Sequence, residues 1–184
     1  KKLDLKLVKV IDTHIHADHV SGLKELNKQT DCAILMGEKS LSEVVTIKVK
    51  DNEKIKIENT ELISMYTPGH TDCSYSFLMK DRIFTGDTLL INGTGRTDFQ
   101  NGNPIDQYHS LFDRILTLPE EIFVYPAHDY KGQKFSTIGN EKKNNPRLKV
   151  KSADQYAELM NNLNLDNPKM MDIAVPANIK GKTL

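Results

Sequence analysis

Short apolar runs separated by polar loops predict a layered α/β domain at the start of the chain. Leu7–Ile11 and Ala33–Met36 are mostly apolar, which is typical of buried strands. Between them, Val20–Gln29 carries Leu23 and Leu26 at helical spacing, with charged residues on the opposite side. A strand, a helix and a second strand in this order favour α/β layering.

The middle of the chain follows a period of two and predicts a β-meander. Apolar residues alternate between Val44 and Thr67, and turn-forming pairs such as Asp51-Asn52 interrupt the alternation. Tyr75–Met79 and Arg82–Thr85 then predict two further strands that pair with each other.

The second half of the chain returns to helical spacing. Asn103–Leu118 predicts a helix, because asparagine can cap its start and proline suits the first helical position. Ile122–Tyr125 is a further buried strand, and Ser152–Asn162 predicts a helix that opens with a capping box. No repeat or Pro/Gly/Ser-rich linker divides the chain, so we expect one domain over residues 1–184.

Composition narrows the class of protein. Of the 184 residues 38% are hydrophobic, and 25 Lys+Arg balance 25 Asp+Glu, which excludes a disordered chain. The absence of a positive excess argues against a general nucleic-acid-binding protein. No apolar run approaches the roughly 18 residues that a membrane-spanning helix needs. Two cysteines, Cys32 and Cys73, fit a reduced compartment, so we expect a cytoplasmic location.

Histidine and aspartate side chains follow four of the predicted strands, at the point where each strand ends. The first strand leads into an H-x-H-x-D-H pattern, and single residues follow three later strands. Because loops at one edge of a sheet converge in space, these clusters can share one site. The cluster residues are His14, His16, Asp18, His19, His70, Asp87 and His128.

This donor set indicates a metal site. Imidazole and carboxylate together suit zinc, iron and similar ions, whereas hydrogen-bonded loop histidines are the ordinary structural alternative for any one residue alone. The spacing leaves the number of metals open. Seven candidate groups are compatible with one ion, or with two bridged ions that generate a hydroxide nucleophile.

The motifs resemble the metallo-β-lactamase superfamily, whose fold is an αββα sandwich. More narrowly, they resemble the persulfide dioxygenases (sulfur dioxygenases, the group of the ethylmalonic-encephalopathy protein), which are related to glyoxalase II. The resemblance spans nearly the whole chain and is most specific at Gly95–Gln100 and near the carboxyl end. Its motifs are Thr13–Gly22, Thr67–Thr71, Phe84–Ile91, Gly95–Gln100, Tyr125–Tyr130, Asn145–Leu148 and Asp172–Asn178.

The resemblance implies one Fe(II) per chain, held by His14, His70 and Asp87. His16, Asp18, His19 and His128 would then orient these ligands, or hold a second metal in the alternative with two zinc or iron ions. The implied reaction is oxidation of glutathione persulfide, or a related low-molecular-weight persulfide, by O₂ to sulfite and thiol.

The resemblance also implies roles for residues outside the metal cluster. Arg96 and His128 would act at the reacting centre, and Arg96, Tyr130 and Arg147 would bind the substrate. An arginine suits a glutathione carboxylate because it can pair with it through two hydrogen bonds. Two alternatives stay open: an ion pair of Arg96 with Asp98, and a solvated basic face around Arg147.

Three further expectations concern the protein as a whole. By comparison with the family, the sandwich lacks its first strands, and we expect an amino-terminally truncated domain with residues preceding Lys1. The runner-up function is a glyoxalase-II-like thioester hydrolase with two metals, and a third is a binding module whose metal is structural or lost. A homodimer is compatible with the sequence, whereas no nucleic-acid or membrane partner is expected.

Overall fold

A computed structural model describes residues 5–129 and 131–182 and places two β-sheets at the centre of the molecule. The smaller sheet is parallel throughout and has the order β1-β2-β3. Its strands are β1 (Lys9–Ile11), β2 (Ala33–Gly37) and β3 (Ile47–Val49). The predicted strand–helix–strand unit at the start of the chain is therefore present.

The larger sheet follows the chain order from β4 to β9. All its neighbours are antiparallel except β7 and β8, which run parallel and lie next to each other. Its strands are β4 (Lys54–Ile57), β5 (Thr60–Tyr66), β6 (Tyr75–Leu78), β7 (Arg82–Gly86), β8 (Phe123–Pro126) and β9 (Ser136–Thr137).

The predicted meander is correct for β4–β7 but wrong for β3. The pairing of Leu35 with Ile47 places β3 in the smaller sheet, parallel to β2. Thr46 supports this pairing, since its backbone N–H donates to the carbonyl of Ile34 at 2.9 Å. A period of two shows that one face of a strand is buried, but it does not identify the sheet to which the strand belongs.

Helices cover the outer faces of both sheets. The α-helices are α1 (Leu23–Thr30), α2 (Pro104–His109), α3 (Ile138–Asn144), α4 (Ala153–Asn161) and α5 (Met171–Lys180). The sequence predicted α1, α2 and α4, whereas α3 and α5 had no clear periodic signal.

The predicted helix Asn103–Leu118 is interrupted. Asn103 caps α2 as expected, but the chain continues as a π-helical turn over Ser110–Arg114 and a 3₁₀ turn over Ile115–Thr117. The Ser110 hydroxyl donates to the carbonyl of Pro68 at 2.6 Å, and the Arg114 guanidinium binds the end of β5. The wider turn accompanies these tertiary contacts, which the helical period does not reveal.

Within the part of the chain that the structure describes, three apolar clusters fill the interfaces between four layers. Leu35, Val49, Ile55, Leu62 and Phe77 lie between the sheets. The smaller sheet packs against α1 and α5, and the larger sheet packs against the helices of the second half. This arrangement confirms the predicted αββα sandwich. The outer clusters include Leu23, Ile34, Val175 and Ile179 on one side, and Ile83, Leu111, Val124, Ile138 and Tyr156 on the other.

Within residues 5–129 and 131–182, no helix has the length and apolar character needed to cross a bilayer. Among the same residues, β1 pairs with β2 alone. The single-domain organisation and the strands expected before Lys1 stay predictions.

Candidate metal centre

The H-x-H-x-D-H loop follows β1 and is held from both sides. Thr13 Oγ1 lies 2.9 Å from Nδ1 of His14 and thereby orients this buried imidazole. From α5, the side-chain amide of Asn178 donates to the carbonyls of His16 and His19, each at 2.9 Å. The motif at the carboxyl end of the chain therefore supports the histidine loop, a role that sequence reasoning missed.

His70 is presented by a tight turn after β5. Gly69 has φ +133°, and a Cβ at this position would lie 2.3 Å from Cα of Gln107, so only glycine fits. The ring of His70 is then fixed by a hydrogen bond of 2.7 Å between its Nδ1 and the carbonyl of Arg96.

Asp87 follows β7, where two glycines allow close backbone approach. Gly86 has φ +54°, and a Cβ there would lie 2.6 Å from Thr13 Oγ1. Gly95 donates its N–H to the carbonyl of Asp87 at 2.7 Å, and a Cβ on Gly95 would lie only 2.1 Å from that oxygen. The carboxylate is consequently held against the histidine loop and the turn of His70.

Ligand atoms of His14, His70 and Asp87 lie within 4.8 Å of one another. Oδ2 of Asp87 is 3.9 Å from Nε2 of His14 and 3.5 Å from Nε2 of His70. The other carboxylate oxygen, Oδ1, is buried and has no hydrogen-bond partner among the residues that the structure describes. A buried unpaired oxygen is costly unless a cation or donor satisfies it, so these three residues fit a metal ion.

His128 lies at the same centre, beyond the end of β8. Its Nε2 is 3.5 Å from Oδ2 of Asp87 and 3.4 Å from Oδ2 of Asp18. His128 therefore bridges the cluster that contains Asp87 and the exposed part of the histidine loop.

A second group of donors consists of His16, Asp18 and His19, whose ligand atoms also lie within 4.8 Å of one another. Asp18 and His19 are exposed and hydrogen-bonded at 3.1 Å, whereas His16 is buried. Six of the seven residues that the sequence assigned to the metal site thus lie in two adjoining groups, and His128 lies between them.

The two imidazoles of the H-x-H pair differ in electrostatic surroundings. Burial, followed by repulsion from the neighbouring imidazoles, holds the pKa of His14 well below its ordinary value. Burial also lowers the pKa of His16, but hydrogen bonding and attraction to Asp12 outweigh it and the net pKa is raised. At neutral pH, His14 therefore offers a free lone pair, as a metal ligand must.

The outer carboxylate of this region is kept ionised. Burial alone would raise the pKa of Asp18, but the hydrogen bond from His19 and attraction to His128 and His19 give a net lowering.

A cavity of about 540 Å³ opens beside His14, His70 and Asp87. This volume lies within the usual range of small-molecule sites. The lining of the cavity also includes two guanidinium groups and part of the segment between α4 and α5. These wall residues are Arg96, Arg147, Leu165, Asp166 and Pro168.

Both arginines line the cavity, and both also bind protein groups. Arg96 forms the ion pair with Asp98, with two contacts of 2.7 Å, and donates to the carbonyl of Asp166 at 2.6 Å. Arg147 is half-buried, and its Nη1 donates to the carbonyl of Thr94. Burial lowers the pKa of Arg147, although a guanidinium stays charged throughout the ordinary pH range.

The remaining predicted substrate residue, Tyr130, lies outside the described residues. The basic-face alternative for Arg147 does not fit its partly buried position on the cavity wall.

Comparison with known proteins identifies the family. The family model described as the metallo-beta-lactamase superfamily matches residues 41–128. The chain is 40% identical over 183 residues to the mouse (Mus musculus) protein "Persulfide dioxygenase ETHE1, mitochondrial", covering 98% of this chain and 71% of the relative. A hydroxyacylglutathione hydrolase of Dictyostelium discoideum is 32% identical over 152 residues, covering 77% of this chain and 56% of the relative.

A solved structure gives the same assignment. The crystal structure of ETHE1 from Myxococcus xanthus superimposes with a TM-score of 0.92 and 44% sequence identity, covering 95% of this chain and 77% of that chain. Together with the αββα layers and the cluster of His14, His70 and Asp87, this similarity shows that the chain belongs to the persulfide dioxygenase family of the metallo-β-lactamase superfamily.

Proposed function

We propose that the protein is an Fe(II)-dependent dioxygenase that oxidises glutathione persulfide, or a related low-molecular-weight persulfide, to sulfite and thiol. The balanced reaction takes one persulfide, one O₂ and one water to one thiol, one sulfite dianion and two protons. Four electrons pass from the persulfide to O₂. The observation that carries the proposal is the pair of histidines with one carboxylate at the end of a cavity of about 540 Å³.

The donor set supports the choice of metal. Two histidines and one carboxylate are the set typical of non-haem Fe(II) oxygenases, which leaves open positions on the ion. When bound, Fe(II) supplies the reactivity toward O₂ that a closed-shell sulfur compound lacks. The chain's contribution is orientation: His14 is held by Thr13, and His70 is held by the carbonyl of Arg96.

The cavity wall supports a substrate with carboxylates. Among the described residues, the Arg147 guanidinium hydrogen-bonds through Nη1 to Thr94, so its other N–H groups can bind a glutathione carboxylate. Arg96 is held by Asp98 at the same wall and adds a second guanidinium near the metal-binding residues. We assign substrate binding to Arg96, Arg147 and Tyr130, and we assign catalytic roles to Arg96 and His128.

Oxygen consumption tests the proposal. The protein is reconstituted with Fe(II) without air, glutathione persulfide is added in aerated buffer, and O₂ and sulfite are both measured. We expect one sulfite for each O₂ consumed, and Asp87→Ala should be inactive. A protein with verified iron content that consumes no O₂ with this substrate would overturn the proposal.

A second candidate function is hydrolysis of a glutathione thioester at a two-metal site. The group of His16, Asp18 and His19 favours it, because these residues could hold a second ion beside the first. Similarity to the hydroxyacylglutathione hydrolase of Dictyostelium discoideum also supports it. Metal content separates the candidates: about one iron per chain supports the dioxygenase, whereas two zinc or iron ions with thioesterase activity support the hydrolase.

Location and assembly complete the proposal. We propose a cytoplasmic enzyme, although the mouse relative carries the word mitochondrial in its name. The homodimer stays a prediction that sedimentation analysis can test.

A further inference from the structure

A buried carboxylate outside the metal centre has four hydrogen-bond donors around it. Glu141 on α3 is fully buried. Its Oε1 accepts from the Ser136 hydroxyl at 2.5 Å and from Asn140 Nδ2 at 3.3 Å. Its Oε2 accepts from the backbone N–H of Asn92 at 2.8 Å and from Asn145 Nδ2 at 2.8 Å. Burying a carboxylate is costly unless hydrogen-bond donors surround it. The four donors around Glu141 compensate for this cost, and we infer that the carboxylate has a structural role in holding the segments that supply them.

Two of these contacts lead to residues 90–96, which we call the support loop. Glu141 holds Asn92 directly, and Asn145 links the same carboxylate to the carbonyl of Gly93 at 2.9 Å. The next residue, Thr94, is held by Arg147 and by the Tyr156 hydroxyl. Glu141 therefore anchors the first half of the support loop, and Arg147 and Tyr156 anchor its middle at Thr94.

The far end of the support loop contacts the metal-binding residues. Gly95 N–H donates to the carbonyl of Asp87 at 2.7 Å, and the carbonyl of Arg96 lies 2.7 Å from Nδ1 of His70. A carbonyl can only accept, so the proton resides on Nδ1 of His70. Nε2 then carries the lone pair, and it lies 3.5 Å from Oδ2 of Asp87.

The two histidine ligands differ in what fixes them. His14 takes its orientation from Thr13, the adjacent residue, at 2.9 Å. His70 takes its orientation from Arg96, 26 residues away, so it depends on the support loop. A change in the support loop should therefore alter His70 and leave His14 unaltered, so His14 serves as the internal control.

We propose that Glu141 is a positioning residue for the metal centre: through Asn92 and Asn145 it holds the support loop so that the carbonyl of Arg96 fixes the tautomer of His70. Glu141 would in this way prepare His70 to bind the metal of the proposed function. This role rests on the proposed metal site but not on the identity of the metal or on the persulfide reaction.

The test is Glu141→Gln, which keeps the size of the side chain but replaces one acceptor oxygen with an NH₂ group. We expect His70, read in the metal-free ¹⁵N-histidine-labelled protein by two-bond nitrogen–proton correlation, to change from the Nδ1–H form to a mixture of tautomers. His14 should be unchanged. Binding of Zn(II) alone should weaken about 10–100-fold, as is usual when the partner that orients a metal-binding histidine is lost.

Matched variants separate positioning from general destabilisation. Ser136→Ala removes a donor from the other oxygen of Glu141 and should leave His70 unchanged, as should the surface variant Glu158→Gln. Asn145→Ser keeps an oxygen for capping Arg147 but is too short to reach Gly93, so it should change His70 in the same direction.

Three outcomes would overturn the proposal. In the first, neither Glu141→Gln nor Asn145→Ser changes the Nδ1–H form of His70 or the Zn(II) affinity of the unaltered protein. In the second, the signals of His14 and His70 change together, which indicates general loss of structure. If Glu141→Gln does not fold, Asn145→Ser decides, and an unchanged His70 in that variant refutes the inference. None of these readouts depends on O₂ consumption, so failure of the proposed reaction is recognised separately.

Discussion

The hydrogen bonds of Asn178 provide a quantitative test of how the histidine loop is held. Its Oδ1 accepts from the backbone N–H of Ser21 at 2.8 Å, and its Nδ2 donates to the carbonyls of His16 and His19 at 2.9 Å. Asn178→Asp has nearly the same shape but, when ionised, has no donor for either carbonyl. The change therefore removes two hydrogen bonds and retains the third.

The expected cost follows from these contacts. Each lost hydrogen bond is worth about 0.5–1.5 kcal/mol, so the free energy of unfolding should fall by about 1–3 kcal/mol at pH 7. Repulsion between the new carboxylate and two carbonyl oxygens adds to this, but Asn178 is only partly buried and solvent screens the charge. For a chain of this size, each kcal/mol lowers Tm by about 2–4 °C.

The deficit should also depend on pH. Protonation gives the new carboxyl group an O–H that can donate to one of the two carbonyls, so its pKa in the folded state should exceed the value of about 3.9 in the unfolded state. A raised pKa means that the folded state binds the proton more tightly. The deficit relative to the unaltered protein should therefore shrink as the pH falls through the folded-state pKa.

Urea denaturation of the metal-free proteins at pH 7 and near pH 5 measures these differences. Asn178→Ala is the control, because it loses all three hydrogen bonds of Asn178 and gains no titrating group. Effects of pH on other residues cancel in the difference from the unaltered protein. A deficit below about 0.5 kcal/mol at pH 7, or the same pH dependence in both variants, would show that Asn178 does not hold the loop through these donors.

Two further predictions concern the centre itself, and a third concerns the packing of Tyr156 against Gln107. Asp87→Ala should abolish iron binding, whereas His128→Ala should retain metal with about 10–100-fold loss of affinity or activity; metal analysis decides, and the opposite pattern refutes the ligand assignment. Gly95→Ala should weaken Zn(II) binding while unfolding stays cooperative, because the new Cβ would lie 2.1 Å from the Asp87 carbonyl oxygen. An unchanged Zn(II) affinity would contradict this expectation. Tyr156→Phe leaves the buried Gln107 amide oxygen, 2.7 Å from the hydroxyl, without that partner. It should cost about 1–3 kcal/mol in urea denaturation, and no measurable loss would contradict the packing described.

The convergence of the candidate metal ligands could be predicted because strand ends are visible in the sequence. His14, His70, Asp87 and His128 each follow an apolar run, and loops at one edge of packed sheets meet. Local geometry could also be anticipated at Gly69, where the dipeptide with Pro68 indicated a tight turn. These signals depend on residues that are neighbours in the sequence, so they can be recognised without the tertiary structure.

Contacts between distant segments could not be predicted in the same way. Asn178 reaches His16 across 162 residues, and Glu141 reaches Asn92 across 49. The sequence around Glu141 indicates only a polar segment, because its burial depends on α3 packing against the larger sheet. Asparagine and glutamate are common polar residues, and their identity alone does not indicate which distant donor or acceptor they bind.

The number of metals depends on how the two halves of the H-x-H pair are directed. His14 lies 3.9 Å from Asp87 across the centre, whereas Nε2 of His16 lies 3.8 Å from Asp12 on the other side of the loop. Asp12 is itself held by the Ser21 hydroxyl at 2.6 Å, so this carboxylate is fixed as a partner for His16. A second ion bound through Nε2 of His16 would compete with the attraction to Asp12, while an ion at His14, His70 and Asp87 would satisfy a buried oxygen that has no hydrogen-bond partner among the described residues. Nδ1 of His16 is likewise buried and has no hydrogen-bond partner among the described residues, so these contacts oppose a second ion at Nε2 but not at Nδ1. We therefore expect Asp12→Asn to raise the number of zinc ions bound per chain, measured by metal analysis, and an unchanged number would show that the contact with Asp12 does not limit a second site.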